Sequence, residues 1–69
     1  MQEHVYKQIE ITGTSRESIE DAVRNAINRA SKTVHNLRWF QVTELRGEID
    51  DMKAPHWQVS VKLGFRLDD

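Results

Sequence analysis

A chain of 69 residues with 10 basic and 11 acidic side chains, a net charge of −1 and no cysteine makes one small domain without disulfides or thiolate metal sites. The balanced charge excludes the strongly basic footprint of a general nucleic-acid binder, and no apolar run nears the roughly 18 residues of a membrane span, so neither nucleic acid nor membrane is an expected partner. A domain of this size buries only about 60% of the surface its unfolded chain exposes, so association of several copies is the expected reinforcement. Met1-Gln2-Glu3-His4 lacks the basic and apolar regions of a signal peptide, and a cytoplasmic location is expected.

The first predicted strand runs from Val5 to Thr12 and ends at Gly13, read as a turn residue. Val5, Ile9 and Ile11 share one face with Lys7. A helix follows. Thr14 and Glu17 have capping-box spacing, and Ser15 is an equally good N-cap. Glu17, Glu20 and Asp21 suit the positive end of the helix dipole, and Arg29 and Lys32 the negative end. Ile19, Ala22, Val23, Ala26, Ile27, Ala30 and Val34 form one apolar stripe. Its three alanines let a sheet backbone approach closely, and the helix is expected to stop near His35-Asn36.

The second strand is predicted from about Arg38 to Ile49. Phe40 and Val42 fit one face and Leu45 and Ile49 the other, so a bulge near Thr43-Glu44 is required, with Gly47 a possible contributor to the bend. Asp50 to Ala54 is a polar hairpin connection, and Pro55 opens the last strand. There Trp57, Val59, Val61, Leu63, Phe65 and Leu67 alternate with Gln58, Ser60, Lys62, Gly64 and Arg66, the pattern of a half-buried strand. The fold class is α+β: a β-α-β-β chain, residues 1–69, with an antiparallel sheet covered on its apolar face by the helix.

Strand phase sets Trp39 opposite Phe40 and Val42, with Gln41, Thr43, Gln58, Ser60, Lys62 and Arg66 on the same polar face. An outward Trp is either a stray surface aromatic, an assembly contact or a platform for a flat ligand whose edge Gln58 reads through its donor and acceptor. Arg46 can grip a phosphate with two parallel hydrogen bonds or be an ordinary surface arginine. His4, His35 and His56 lack metal-ligand spacing, Asp50-Asp51 and Asp68-Asp69 lack a calcium-loop pattern, and no metal is expected. No nucleophile–base–acid set and no glycine-rich phosphate loop is present, so an enzyme is not expected.

Over essentially its whole length the chain resembles the dodecins. The matching segments are His4-Val5-Tyr6-Lys7, Gly13-Thr14-Ser15, Ala30-Ser31-Lys32-Thr33, Asn36-Leu37-Arg38-Trp39-Phe40, Arg46-Gly47, Gln58-Val59 and Gly64-Phe65-Arg66-Leu67-Asp68. The resemblance implies a subunit whose sheet wraps its helix, assembling into a hollow homo-oligomeric dodecamer that stores, buffers and photoprotects flavin without catalysis. It implies that Trp39 stacks on an isoalloxazine ring, two rings lying between symmetry-related copies of Trp39. Gln58 would bond the ring edge and Arg46 would lie near the phosphate, favouring FMN over riboflavin. Gly64 and Arg66 would line the same pocket. It also implies a second ligand, coenzyme A, for which Lys7, Arg29, Lys32 and Thr33 are the candidates. The chain departs from the family pattern at Arg38, Glu48 and Trp57. Arg38 and Glu48 alter the pocket charge, and a shell without flavin, serving as scaffold or coenzyme A binder, is the alternative.

Overall fold

The computed structural model describes residues 3–68, so Met1 and Gln2 of the N-terminal segment and Asp69 of the acidic pair lie outside the described residues. The element order is β1 (Tyr6–Ser15), α1 (Ile19–Ala30), β2 (Leu37–Ile49) and β3 (Pro55–Arg66). The sheet order is β1-β3-β2, with both pairings antiparallel. The last strand is therefore central, which is why its alternation is the cleanest in the sequence. Val59, Val61 and Leu63 are buried between two neighbouring strands and the helix, and Trp57 packs against them.

The helix closes on the sheet through its small residues. Ala22, Ala26 and Ala30 are buried and form the core with the three β3 side chains. Their closeness explains Gly13. Instead of ending the strand, Gly13 sits inside β1, paired with Val59, and β1 continues to Ser15. A Cβ at Gly13 would overlap the Ala22 carbonyl and stand 2.9 Å from the Ala26 Cβ. The predicted turn residue is a contact residue: the helix rests on bare strand backbone.

Because Thr14 and Ser15 still pair with β3, neither can take the N-cap position expected of it. The cap is Ser18, whose Oγ accepts from the Asp21 N–H at 2.9 Å. Ser15 Oγ accepts from the Glu17 N–H at 2.9 Å and donates to Asp21 Oδ2 at 2.7 Å, tying strand end to first helical turn. The helix also ends earlier than expected, at Ala30. The amides of Thr33 and Val34 both bond the Ala30 carbonyl, closing a tight turn, and Asn36 then reverses the chain with φ 66°. Asn tolerates that left-handed conformation better than most residues. Its side chain donates to Asp68 Oδ1 at 2.9 Å, pinning the start of β2 to the segment that follows β3.

The bulge expected at Thr43-Glu44 is present: pairing runs Val42↔Val61, then Glu44↔Ser60 and Leu45↔Val59. One extra residue flips the phase, so Phe40, Val42, Leu45 and Ile49 lie on one face despite their odd spacing. Gly47 contributes no register shift; it pairs regularly with Trp57. A second irregularity, between Leu37 and Trp39, makes Arg38 the extra residue there.

The helix lies close on β1 and β3 but stands off from β2, where Ile19, Val23 and Ile27 face Phe40 and Val42 across an open groove. The expectation that it covers the whole apolar face holds for two strands only. Phe40, Val42, Leu45 and Ile49 consequently form an exposed apolar row, 52%, 45%, 53% and 76% accessible. No helix among the described residues is long and apolar enough to cross a membrane.

Candidate functional site

The sheet face away from the helix carries the predicted site residues, and Trp39 is positioned there by the bulge at Arg38. Its pairing with Gly64 lays the indole over the glycine, where a Cβ would overlap Cε2 and Cζ2 and stand 2.5 Å from Cδ2. The glycine is thus the seat of the indole: only the absence of a side chain lets the ring lie against β3. Trp39 keeps 37% of its surface open. Arg66, two residues along β3 from Gly64, shares this face and stands opposite Tyr6. Trp39, Gly64 and Arg66 therefore form one corner.

Gln58 and Arg46 form another. They are register partners, and Arg46 Nε donates to Gln58 Oε1 at 3.0 Å. Arg46 Nη1 lies 3.6 Å from Glu44 Oε1. Gly64 and Gln58 are six residues apart on β3, a span of about 20 Å at the usual strand rise of ~3.3 Å. Within one chain that span is longer than a tricyclic ring, so Trp39 and Gln58 of a single copy do not meet on one ring. Shared strand phase placed both on one face, but distance along the strand separates them.

Between the corners lies an acidic, hydroxyl-rich strip. Thr43 Oγ1 donates its one proton to Glu10 Oε2 at 2.7 Å, with the Ser60 carbonyl 3.2 Å away as the other acceptor in reach, while Thr12 Oγ1 and Ser60 Oγ are 2.8 Å apart. Glu10 and Glu44 put negative charge at the middle of the face, partly offset by Lys62, the register partner of Glu10 and Gln41 on the same face. Glu44 is a site neighbour the sequence reading missed. Its i, i+2 spacing to Arg46 on a strand was the available signal.

Arg29, Lys32 and Thr33 converge elsewhere. They line a cavity of about 800 Å³ with Asn25, Asn28 and Thr14 between the helix and β1. Asn25 Nδ2 donates to the Thr14 carbonyl at 2.9 Å and bridges its walls. Lys7, paired with Phe65 nearer the start of β1, does not line it.

At the hairpin tip, Asp50 Oδ1 accepts from the Met52 and Ala54 amides, each at 2.9 Å, and Oδ2 lies 3.2 Å from His56 Nε2. The Ala54 amide, followed by the His56 and Met52 contacts, holds the Asp50 carboxyl below its ordinary range despite a smaller opposing effect of desolvation. These bonds stabilise the loop that lets Lys53 adopt φ 60°.

The fold and this face define a class: a one-helix β-α-β-β chain whose three-stranded antiparallel sheet seats an open indole on a glycine. Comparison with known proteins gives that class its family. The Dodecin family pattern matches residues 5–68. The chain is similar to the dodecin of Streptomyces davaonensis, whose structure aligns with a TM-score of 0.92 at 53% identity over 99% of this chain and 100% of that one. It is 45% identical to the Thermus thermophilus dodecin over 65 residues, 94% of each chain. It is 32% identical to the calcium dodecin of Mycobacterium tuberculosis over 91% of this chain and 89% of that one. The chain belongs to the dodecin family.

Proposed function

We propose that the chain is the subunit of a homo-oligomeric, dodecameric shell that stores, buffers and photoprotects FMN, without catalysing a reaction. The observation that carries this reading is the split of the polar face: an open indole seated on Gly64 at one corner and the Arg46–Gln58 pair at the other. A flavin stacked on Trp39 takes its edge contacts from a second copy, so the site is complete only between subunits. The uncovered row of Phe40, Val42, Leu45 and Ile49 supports assembly independently, since a chain this small leaves a large share of its apolar residues in water when alone. Stacking suits Trp, which offers a flat polarizable face and loses little conformational entropy. An indole against a flavin is also a ready electron donor to the excited ring, which favours quenching and protection over turnover. Arg66, two residues along β3 from the Gly64 seat of Trp39, supplies positive charge for an FMN phosphate and favours FMN over riboflavin; a cytoplasmic location fits the role.

The test is to purify the protein, record its visible spectrum and native mass, and titrate the ligand-stripped shell with FMN. A yellow oligomer, or one that quenches FMN fluorescence and loses this with Trp39→Ala, agrees with the proposal. A colourless shell that leaves added FMN fluorescent ends the flavin reading.

A second reading rests on the 800 Å³ cavity with Arg29, Lys32 and Thr33 on its wall. Those donors suit the phosphates of coenzyme A, so a shell whose main ligand is coenzyme A is the alternative. Mass spectrometry of ligands released by denaturing the purified shell separates the two. Calcium, named for the Mycobacterium tuberculosis relative, is not proposed here. Among the described residues no three His, Asp or Glu side chains converge to hold a metal ion.

A further inference from the structure

Arg46 has two candidate roles that differ in what they predict. As a phosphate clamp it needs free N–H groups directed away from its own sheet. Its guanidinium is instead oriented along the sheet surface by one hydrogen bond and one exposed ion pair, which use two of its nitrogens and leave the Nη2 donors over. Nε donates to Gln58 Oε1 at 3.0 Å, and Nη1 sits 3.6 Å from Glu44 Oε1. The first bond decides which way the Gln58 amide faces. A guanidinium N–H only donates, so its partner must be the amide oxygen, and the NH2 group is turned the other way. A free glutamine side chain has no such preference, because its two ends swap by rotation about the last bond.

We infer that Arg46 is a positioning residue for ring recognition: it holds the Gln58 amide with its NH2 outward, so that the corner presents hydrogen-bond donors to the carbonyl edge of a bound heterocycle. The inference rests on the flavin reading for its ligand but not for its geometry, which belongs to the unliganded chain. Glu44 holds the guanidinium from its other side. The consequence is that the Arg46 effect follows the ring, not the phosphate. Donors fixed before binding avoid the ordering loss that a freely rotating amide incurs, and such preorganisation goes directly into affinity.

The experiment uses two probes, lumiflavin, which carries the ring but no ribityl chain or phosphate, and FMN. Each is titrated against the ligand-free oligomer of wild type, Arg46→Ala, Gln58→Ala and the double variant. The expected result is that Arg46→Ala weakens lumiflavin and FMN by the same factor, on the order of tenfold for one oriented hydrogen bond. The double variant then binds no worse than Gln58→Ala, because the arginine acts through the glutamine. A loss confined to FMN, with lumiflavin bound as in wild type, overturns the inference and makes Arg46 a phosphate clamp. A second measurement needs no ligand: the Gln58 side-chain NH2 resonances in wild type and Arg46→Ala. Two distinct, shifted NH2 signals that move toward ordinary glutamine values in the variant are expected. Identical signals overturn the positioning role. If wild type binds neither probe, the flavin reading fails, and these resonances alone decide whether Arg46 sets the amide.

Discussion

Gly64→Ala is the most informative single change, because it acts on the indole without touching it. A Cβ at Gly64 would stand 2.5 Å from Trp39 Cδ2 and overlap two further ring atoms. Carbon atoms rest at about 3.5–4.0 Å, so the nearest, overlapping ring atoms must retreat by roughly 1.5–2 Å and the indole in practice swings to another rotamer. The backbone itself does not object: no glycine among the described residues has positive φ, and Gly64 lies in a paired strand. Stability therefore changes little. Losing glycine's freedom in the unfolded chain contributes about 0.4–1 kcal/mol in favour of folding, which offsets the lost contact of a ring that is already more than one-third open. Ligand stacking is affected far more. A stacked base on an aromatic is worth about 1–3 kcal/mol, so FMN affinity is expected to fall roughly 5- to 150-fold. The assay is FMN fluorescence titration beside a urea melt, with indole emission read in a Trp57→Phe background so that Trp39 reports alone. An FMN affinity equal to wild type, with unshifted Trp39 emission, would refute the seat that Gly64 provides.

Gly13→Ala should behave oppositely. Its Cβ meets the Ala22 carbonyl and the Ala26 methyl, neither of which can swing aside, so the helix must lift. Overpacking of this kind costs about 1–3 kcal/mol, to be read as a lower urea midpoint in a chain of modest total stability, and an unshifted midpoint would contradict the close helix contact. Val42→Asp sets a charge in the exposed apolar row of β2; native mass should drop below that of the wild-type assembly, and a full-size shell would show that the row is not an interface. Asp50 has a lowered pKa in the folded chain, so its contribution is fully present above the ordinary carboxylate value of about 3.9 and fades as pH falls through the lower folded value. Asp50→Asn keeps the two acceptor bonds at Oδ1 but removes the titration. Its urea midpoint should fall less steeply than that of wild type as pH drops below the ordinary carboxylate value of about 3.9. Parallel curves would dissociate Asp50 from the acid response.

Much of this molecule is legible from residue order. The β3 alternation names the central strand, the three alanines announce a closely packed helix, and the phase break between Val42 and Leu45 demands the bulge that pairing confirms. These features are periodic, and period depends only on neighbours along the chain. The errors share a cause as well. Gly13 reads as a turn, and Thr14 and Ser15 read as caps, unless β3 is known to hold β1 in extended form through Ser15. The helix end near His35 was read from a stripe that continues to Val34, whereas the turn on the Ala30 carbonyl cuts it short.

Trp39 shows the division most clearly. Its outward side was decided by sequence alone, since Phe40 and Val42 claim the other face. Its seat on Gly64 and its separation from the Arg46–Gln58 pair were decided by strand register, an antiparallel pairing between residues far apart in the chain. Phase is local and survives in the residue order; register and distance are set by hydrogen bonds between strands, and these exist only once the sheet has closed.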